Sequence, residues 1–154
     1  MAGLYYEDYE VGMVIEHEWS RTVTEMDNVL FSSITMNPQP LHIDAHYSQK
    51  TEFGRPLVNS LYTLGLMIGM TVNDTTLGTT VANLGMTDVR FVNPVFHGDT
   101  IKVQTHVESM RVSQSRPGNG IVEFTHKAFN QRGEEVARCR RCALIYLSSK
   151  NSSQ

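Results

Sequence analysis

Residues 57–73 read LVNSLYTLGLMIGMTVN, a stretch with no charged side chain and with apolar residues on every side of a helical wheel. A helix of this composition must be surrounded by other parts of the protein. The stretch is short for a bilayer span and carries several polar residues, so burial in a protein core is favoured over insertion in lipid. Because Gly65 and Gly69 lie one turn apart, we expect a strand to approach one side of this helix closely.

Four downstream segments with strand-like patterns are predicted to surround the helix: residues 79–92, 100–108, 121–129 and 134–147. Alternation of apolar and polar residues is typical of antiparallel strands with one buried and one solvated face. Upstream, residues 14–23 predict a further strand, and Thr24 with Asp27 three residues later predicts a capped helix start. Together these signals predict an α+β fold in which an antiparallel sheet of about five strands wraps one long buried helix.

Length and composition favour a single domain. A chain of 154 residues with 40% hydrophobic content supports one core, so residues 1–154 are predicted to form one unit. Its polar tail, residues 148–154, is expected to be disordered. A net charge of −3 and a pI near 6.0 give no overall positive field, so we expect neither nucleic acid nor a membrane as a partner. Glu7 and Asp8 stand where a signal peptide would be basic, which favours a cytoplasmic protein.

Two cysteines, Cys139 and Cys142, form a lone C-x-x-C. A structural zinc site would need two further ligands at matching spacing, which are not evident, so no metal is expected. The pair falls late in a predicted strand rather than at a helix start, which argues against a redox motif. We therefore expect two inert, reduced thiols, as in a cytoplasmic protein.

The segment before the helix carries a resemblance to a known family. Residues 37–44, NPQPLHID, resemble the signature of the MaoC-like, or hydratase 2, family, in which Asp-x-Asn-Pro-aliphatic-His precedes the central helix. The segments FGRPLV at 53–58 and PVFHGD at 94–99 are similar to the family's linker and strand-turn-strand element. The resemblance spans residues 5–147 and implies the hotdog fold. Hotdog sheets usually pair edge to edge, so a homodimer or a multiple of one is expected.

The resemblance also implies an activity. Members of the family are hydro-lyases that add or remove water at the 2,3 position of an acyl-CoA thioester, without metal or redox cofactor, since CoA is part of the substrate. An Asp and a His act on one water, and a backbone N–H at the start of the buried helix holds the thioester oxygen. The pair is physically reasonable because two groups that flank one water can exchange proton roles. The backbone N–H is reasonable because helix N-terminal amides stabilise the negative charge that develops on the thioester.

Carried over residue by residue, the catalytic pair is His42 and Asn37. The oxyanion amide belongs to Ser60, with Asn59 beside it, and the family's signature Asn is here Gln39. Asn37 departs from the family's Asp, because a carboxamide cannot accept a proton as a carboxylate does. We expect His42 to serve as acid and base, with Asn37 and Gln39 orienting water or thioester. The helix start opposite His42 is expected to border a narrow apolar tunnel.

Other charged residues have two interpretations each. Asp44 could orient His42 or replace the missing carboxylate, but it also suits the N-cap of a short helix. Arg138 and Arg140 could bind the phosphates of CoA, or could form a solvated strand face. Arg141 falls on the apolar face of its strand, so either a bulge shifts the register or a charge lines a cavity. His126, among apolar neighbours, is predicted to be a core histidine.

Two other functions compete with a hydro-lyase. Hotdog thioesterases commonly use a carboxylate on or beside the central helix; residues 57–73 contain none, although Asp74 or Glu52 could serve. A non-catalytic thioester binder or scaffold would keep the pocket and lose the acid. Asn37 favours that interpretation and His42 opposes it.

Overall fold

The computed structural model describes residues 3–148. After a single 3-10 turn the strands and helices follow in the order β1 (Val14–Glu16), β2 (Arg21–Thr22), α1 (Glu25–Ile34), α2 (Pro40–Ile43), α3 (Ala45–Ser48), α4 (Ser60–Thr75), β3 (Thr80–Phe91), β4 (Thr100–Val112), β5 (Asn119–Phe129) and β6 (Glu135–Tyr146). The predicted capping box at the start of α1 is confirmed, because Thr24 and Asp27 bond each other's backbone N–H. Of the predicted tail, residues 149–154 lie outside the described residues.

The sheet is antiparallel, with the strand order β1-β4-β5-β6-β3, and β2 also pairs with β4. The α+β class is confirmed, with six strands rather than about five. The four predicted downstream strands are confirmed, and β4 continues to Val112, four residues beyond its predicted end. β3 pairs with β6 through three register shifts, and such bulges bend a strand and increase its twist. The β3 edge of the sheet is therefore bent and strongly twisted.

The single strand predicted for residues 14–23 is wrong. Five residue steps separate Glu16 from Arg21, but only three separate their partners on β4, Gln104 and Ile101. Two residues too many must therefore loop out, and β1 and β2 form separate short strands. The side chain of His17 turns into the interior at this break and is 5% exposed.

The central helix begins at Ser60, three residues later than predicted. Leu57 is held extended by a β-bridge to Phe96, and the Val58 N–H donates to the Val95 carbonyl at 2.9 Å. These contacts with the β3–β4 connection keep the backbone out of the helical conformation. The helix then starts at the residue that follows Asn59, whose side chain accepts the Leu61 N–H.

Only one side of α4 is covered within the chain. Its buried residues recur every fourth position: Thr63, Met67, Thr71 and Thr75. On the opposite side Leu61 is 57% exposed, and no atom of residues 3–148 lies within 4 Å of a Cβ placed on Gly65 or Gly69. The predictions of a surrounded helix and of close strand approach at these glycines are therefore wrong for this chain. The sheet covers one face only. The other face and Trp19 line a groove of about 510 Å³.

A chain of buried hydrogen bonds fixes the C-terminal end of α4. Asp74 Oδ2 accepts from His17 Nδ1 at 2.9 Å, and His17 Nε2 lies 2.8 Å from Thr105 Oγ1. The same hydroxyl lies 2.8 Å from His126 Nδ1. Burial, with smaller contributions from Arg141 and His17, lowers the pKa of His126 to about 2. His126 is thus a neutral core histidine, as predicted.

Arg141 is also inside the protein, with 6% of its surface exposed. β5 and β6 stay in register around it, with Phe124 opposite Arg141, so a bulge in β6 does not explain its position. Its guanidinium carbon lies 5.4 Å from the centre of the Phe124 ring. Burial lowers the pKa of Arg141, and its Nε and Nη2 have no hydrogen-bond partner within the described chain. Of the two alternatives, the buried charge is the one observed.

Both cysteines are free thiols, and burial raises the pKa of each. This agrees with the expected inert, reduced state, because the reactive form of cysteine is the thiolate. From residue 3 to residue 148, no helix is long and apolar enough to cross a membrane.

Candidate active site

The histidine of the signature segment lies in the short helix α2, just before α3. Pro40 occupies the first turn of α2, where its missing N–H costs nothing. α2 ends at Ile43, and the side chain of the next residue, Asp44, accepts the Tyr47 N–H at 2.9 Å and so caps α3. His42 is half-buried between these two points. The N-cap interpretation of Asp44 is the one that the structure shows.

The ring of His42 is held in one orientation. Its Nδ1 lies 2.8 Å from the Leu57 carbonyl oxygen. A carbonyl can only accept, so Nδ1 carries the proton, and in the neutral ring Nε2 keeps its lone pair. This is the tautomer that a general base needs at Nε2. The geometry of His42 therefore suits proton transfer at Nε2.

A buried residue that sequence reasoning missed lies behind this contact. Asn28 of α1 is 0% exposed, and its Nδ2 lies 3.0 Å from the carbonyl oxygens of both His42 and Leu57. Its Oδ1 accepts the Asn59 N–H at 2.9 Å. The available signal was the spacing of Asn28 and Ser32, two polar residues one helical turn apart that both prove buried.

The start of α4 offers a free backbone donor. Asn59 has its own groups engaged: Oδ1 accepts the Leu61 N–H at 3.0 Å, and Nδ2 donates to Ser32 Oγ at 3.3 Å. The Ser60 N–H, by contrast, has no hydrogen-bond partner among the described residues. A free amide at a helix N-terminus attracts negative charge. Ser60 is therefore placed to hold an oxyanion, whereas the side chain of Asn59 is occupied as a cap.

Ser60 borders an apolar cavity of about 260 Å³, which Phe53, Leu57, Val95 and Val136 also line. Leu57 thus contributes to both parts of the site, because it lines the cavity and its carbonyl accepts from His42 Nδ1. The cavity is apolar, as expected of the tunnel, but His42 is not among its lining residues, so a tunnel opposite His42 stays a prediction.

The remaining signature residues are distributed around this centre. Gln39 is exposed in a shallow depression that adjoins the cavity at Phe53, and Glu52 lies in the same depression. Asn37 is half-buried in a different depression, and its Oδ1 accepts the Gln39 N–H at 3.1 Å. Over residues 3–148, no hydrogen bond joins Asn37 to His42. The catalytic role of Asn37 and the substrate contacts of Gln39 stay predictions.

The two arginines predicted to bind CoA phosphates lie on the exposed face of β6. Arg138 pairs with Glu135 at 3.0 Å, and Arg140 pairs with Glu123 at 3.3 Å. A third arginine, Arg55, is exposed, and its guanidinium carbon lies 3.8 Å from the centre of the Phe96 ring. The phosphate contacts also stay predictions.

Comparison with known proteins identifies the family of this chain. The family model described as the MaoC-like domain matches residues 8–128. The chain belongs to the MaoC-like domain family. It is 30% identical over 144 residues to a mesaconyl-CoA hydratase from Cereibacter sphaeroides, a match that covers 94% of this chain and 41% of that protein. The chain thus spans about two-fifths of the length of that curated relative.

Solved structures place this MaoC-like domain in the hotdog fold. A monoamine oxidase regulatory protein from Archaeoglobus superposes with a TM-score of 0.84 at 33% identity, over 96% of this chain and 97% of that one. A Mycobacterium tuberculosis protein described as a double hotdog fold superposes with a TM-score of 0.86 at 24% identity, over 96% of this chain and 45% of that one. The predicted hotdog fold is therefore confirmed.

Proposed function

We propose that this MaoC-like domain is a hydro-lyase that adds or removes water at the 2,3 position of an acyl-CoA thioester. The observation that carries the proposal is the arrangement at Leu57. Its carbonyl fixes the tautomer of His42, and Leu57 lines the apolar cavity together with Ser60, whose N–H is free among the described residues. The segment from residue 57 to residue 60 thus binds the proposed base, His42, at its first residue and carries the proposed oxyanion donor at its last. The name of the Cereibacter relative supports the same reaction class.

The proposed hydration moves one water across one double bond. The water oxygen forms a bond to C3 of the enoyl thioester while His42 Nε2 takes a water proton. The electron pair of the double bond moves toward the thioester carbonyl, and the Ser60 N–H stabilises the resulting oxyanion. His42 then returns the proton to C2. Dehydration runs through the same steps in reverse, and neither direction needs an electron acceptor or any cofactor beyond the CoA of the substrate.

The acyl group is proposed to be branched or carboxylated. The signature departs from the family pattern at Asn37 and Gln39, as expected if the site does not handle simple straight chains. The substrate in the name of the Cereibacter relative, mesaconyl-CoA, is a branched acyl thioester that carries one free carboxylate. The phosphates of CoA are proposed to lie near Arg138 and Arg140, whose side chains are each about half exposed, because exposed ion pairs such as those with Glu135 and Glu123 contribute little and can be exchanged.

The decisive experiment is a substrate panel. Purified protein is mixed with straight-chain, branched and carboxylated enoyl-CoA and 3-hydroxyacyl-CoA thioesters, and the enoyl absorbance is followed. Loss of absorbance from an enoyl thioester, or its gain from a hydroxyacyl thioester, supports the proposal. Release of free CoA without a change at the double bond would instead favour a thioesterase, for which Glu52, in the depression that adjoins the cavity at Phe53, is the candidate carboxylate.

The Asn37 departure makes a testable prediction. Asn37→Asp should raise turnover of the simple substrate crotonyl-CoA by about tenfold, because it restores a general base at nearly the same volume. One carboxylate oxygen can keep the hydrogen bond from the Gln39 N–H while the other faces water. Initial rates at saturating substrate measure the change. The control, Asn37→Ala, should give no gain, and a loss in the Asp variant would show that catalysis depends on the amide.

A homodimer is proposed for the assembled protein. β3 forms one end of the sheet, and Leu84 near its middle is 51% exposed. Such an unpaired edge is a ready site for pairing with a second copy. Sedimentation equilibrium at micromolar concentration is expected to give twice the mass of the chain. A monomeric mass would contradict the proposal.

A cytoplasmic location is also proposed, and the free thiols support it.

A further inference from the structure

We propose that Asn28 is a positioning residue that holds His42 in register with the start of α4; its catalytic meaning rests on the proposed function. Asn28 comes from α1, far along the chain from the groups that it binds. Its side chain bonds backbone atoms of His42, Leu57 and Asn59. These three residues carry the base, the acceptor that orients the base, and the helix start that precedes the oxyanion donor.

The contacts fix His42 from two directions. Asn28 Nδ2 donates to the His42 carbonyl and so holds the backbone from which the imidazole projects. It also donates to the Leu57 carbonyl, the acceptor of the His42 Nδ1–H. A carbonyl oxygen has two lone pairs, so both donors can bind Leu57 at once. Asn28 therefore controls the position of the ring and the direction of its anchoring acceptor.

The other half of the amide connects the base to the oxyanion donor. Asn28 Oδ1 accepts the Asn59 N–H at 2.9 Å, immediately before Ser60. One rigid, planar amide thus spans the two parts of the proposed site, and small errors in such spacing are costly, on the order of 10²-fold in rate. A carboxylate at this position would keep the acceptor but lose both hydrogens.

The amide has more acceptors than hydrogens. A third acceptor, His97 Nε2, lies 3.0 Å from Nδ2, yet a carboxamide nitrogen has only two hydrogens. The two carbonyls are fixed in the backbone, whereas His97 is the side chain of a residue on the β3–β4 connection. His97 is therefore the partner that can be lost with the least effect on His42, and His97→Ala tests the local packing without removing the two carbonyl contacts.

The test compares Asn28→Asp and Asn28→Ser with the control Ser32→Ala, which removes a hydrogen bond from α1 to the Asn59 side chain one turn away. NMR correlation of ring protons with ring nitrogens reports the His42 tautomer, with the signal assigned by its loss in His42→Ala. Wild type and Ser32→Ala should show a single tautomer protonated at Nδ1. Both Asn28 variants should show a mixture, and their kcat should fall about 10- to 100-fold with KM changed less than about threefold.

The outcomes separate the two proposals. A changed tautomer in a chain that acts on no thioester would support the role of Asn28 and overturn the proposed function. An active enzyme whose Asn28 variants keep both kcat and the single tautomer would overturn the role of Asn28. If the variants fail to fold, the wild-type Asn28 side-chain amide decides the question: two distinct, slowly exchanging protons are expected, and a rapidly exchanging, freely rotating amide would overturn the proposal.

Discussion

Turnover of the best enoyl-CoA substrate should fall by about 10²- to 10⁴-fold when His42 is replaced by alanine, the usual contribution of a general acid or base. The reason lies in the fixed ring: Nδ1 is bonded to the Leu57 carbonyl, so Nε2 is the nitrogen left to exchange a proton. Binding of the thioester should persist, because Ser60 and the apolar cavity are unchanged. Initial rates and a thermal shift with the same thioester measure the two effects separately.

His46→Ala provides the matched control, since His46 is an exposed histidine on the neighbouring helix α3. It should leave the rate unchanged. If His42→Ala lowers the rate less than about tenfold, the proton-transfer role given to His42 is wrong. Loss of both activity and the thermal shift would show instead that the substitution disrupts the site as a whole.

Thr105→Val should lower the free energy of unfolding by about 2–4 kcal/mol, because it leaves two buried imidazole nitrogens without a partner. The Thr105 hydroxyl joins His17 Nε2 to His126 Nδ1, and all three residues are buried. Valine has nearly the same shape, so the effect reports hydrogen bonds rather than packing. Urea denaturation at neutral pH measures it, with the slope checked for a change in the unfolded state.

The control for this substitution lies on β2, which pairs with the same strand, β4, that carries Thr105. Thr22 and Thr100 share a hydroxyl contact of 2.8 Å that is exposed to solvent. Thr22→Val should change stability by less than about 0.5 kcal/mol, as is usual for exposed positions. Equal effects at Thr22 and Thr105 would show that burial does not determine how much these hydrogen bonds contribute to the free energy of unfolding.

The sequence predicted those elements that local pattern controls. β4, β5 and β6 were found because alternation of side chains reflects one buried face, and the capping box of α1 because it is complete within four residues. The start of α4 was missed, since Leu57 and Val58 are held extended by Phe96 and Val95, nearly forty residues further along the chain. Local propensity contains no information on such contacts.

The site was predictable only in part, for a related reason. The roles of His42 and Ser60 were carried over from the family resemblance and stay predictions, although the structure shows a fixed His42 ring and a free Ser60 N–H among the described residues. Asn28 was not predicted, because its partners lie 14 to 69 residues away and three of the four are backbone atoms, which leave no trace in residue type. The exposed face of α4 was mistaken for a buried one because composition does not show which apolar surface the chain itself covers.

The way in which α4 is held has a consequence for how the helix could open. Most helices fray from their ends, but here Asn59 caps the first turn while Asp74 ties the last turn to His17. Between these anchors lie Gly65 and Gly69, each of which costs a helix roughly 1 kcal/mol relative to alanine. Within the part of the chain that the structure describes, nothing lies within 4 Å of a Cβ built on either glycine. The weakest part of α4 is thus its middle. If α4 bends or locally unwinds while both of its ends, including Ser60 at the cavity, stay in place, the free-energy cost is therefore lowest around these two glycines.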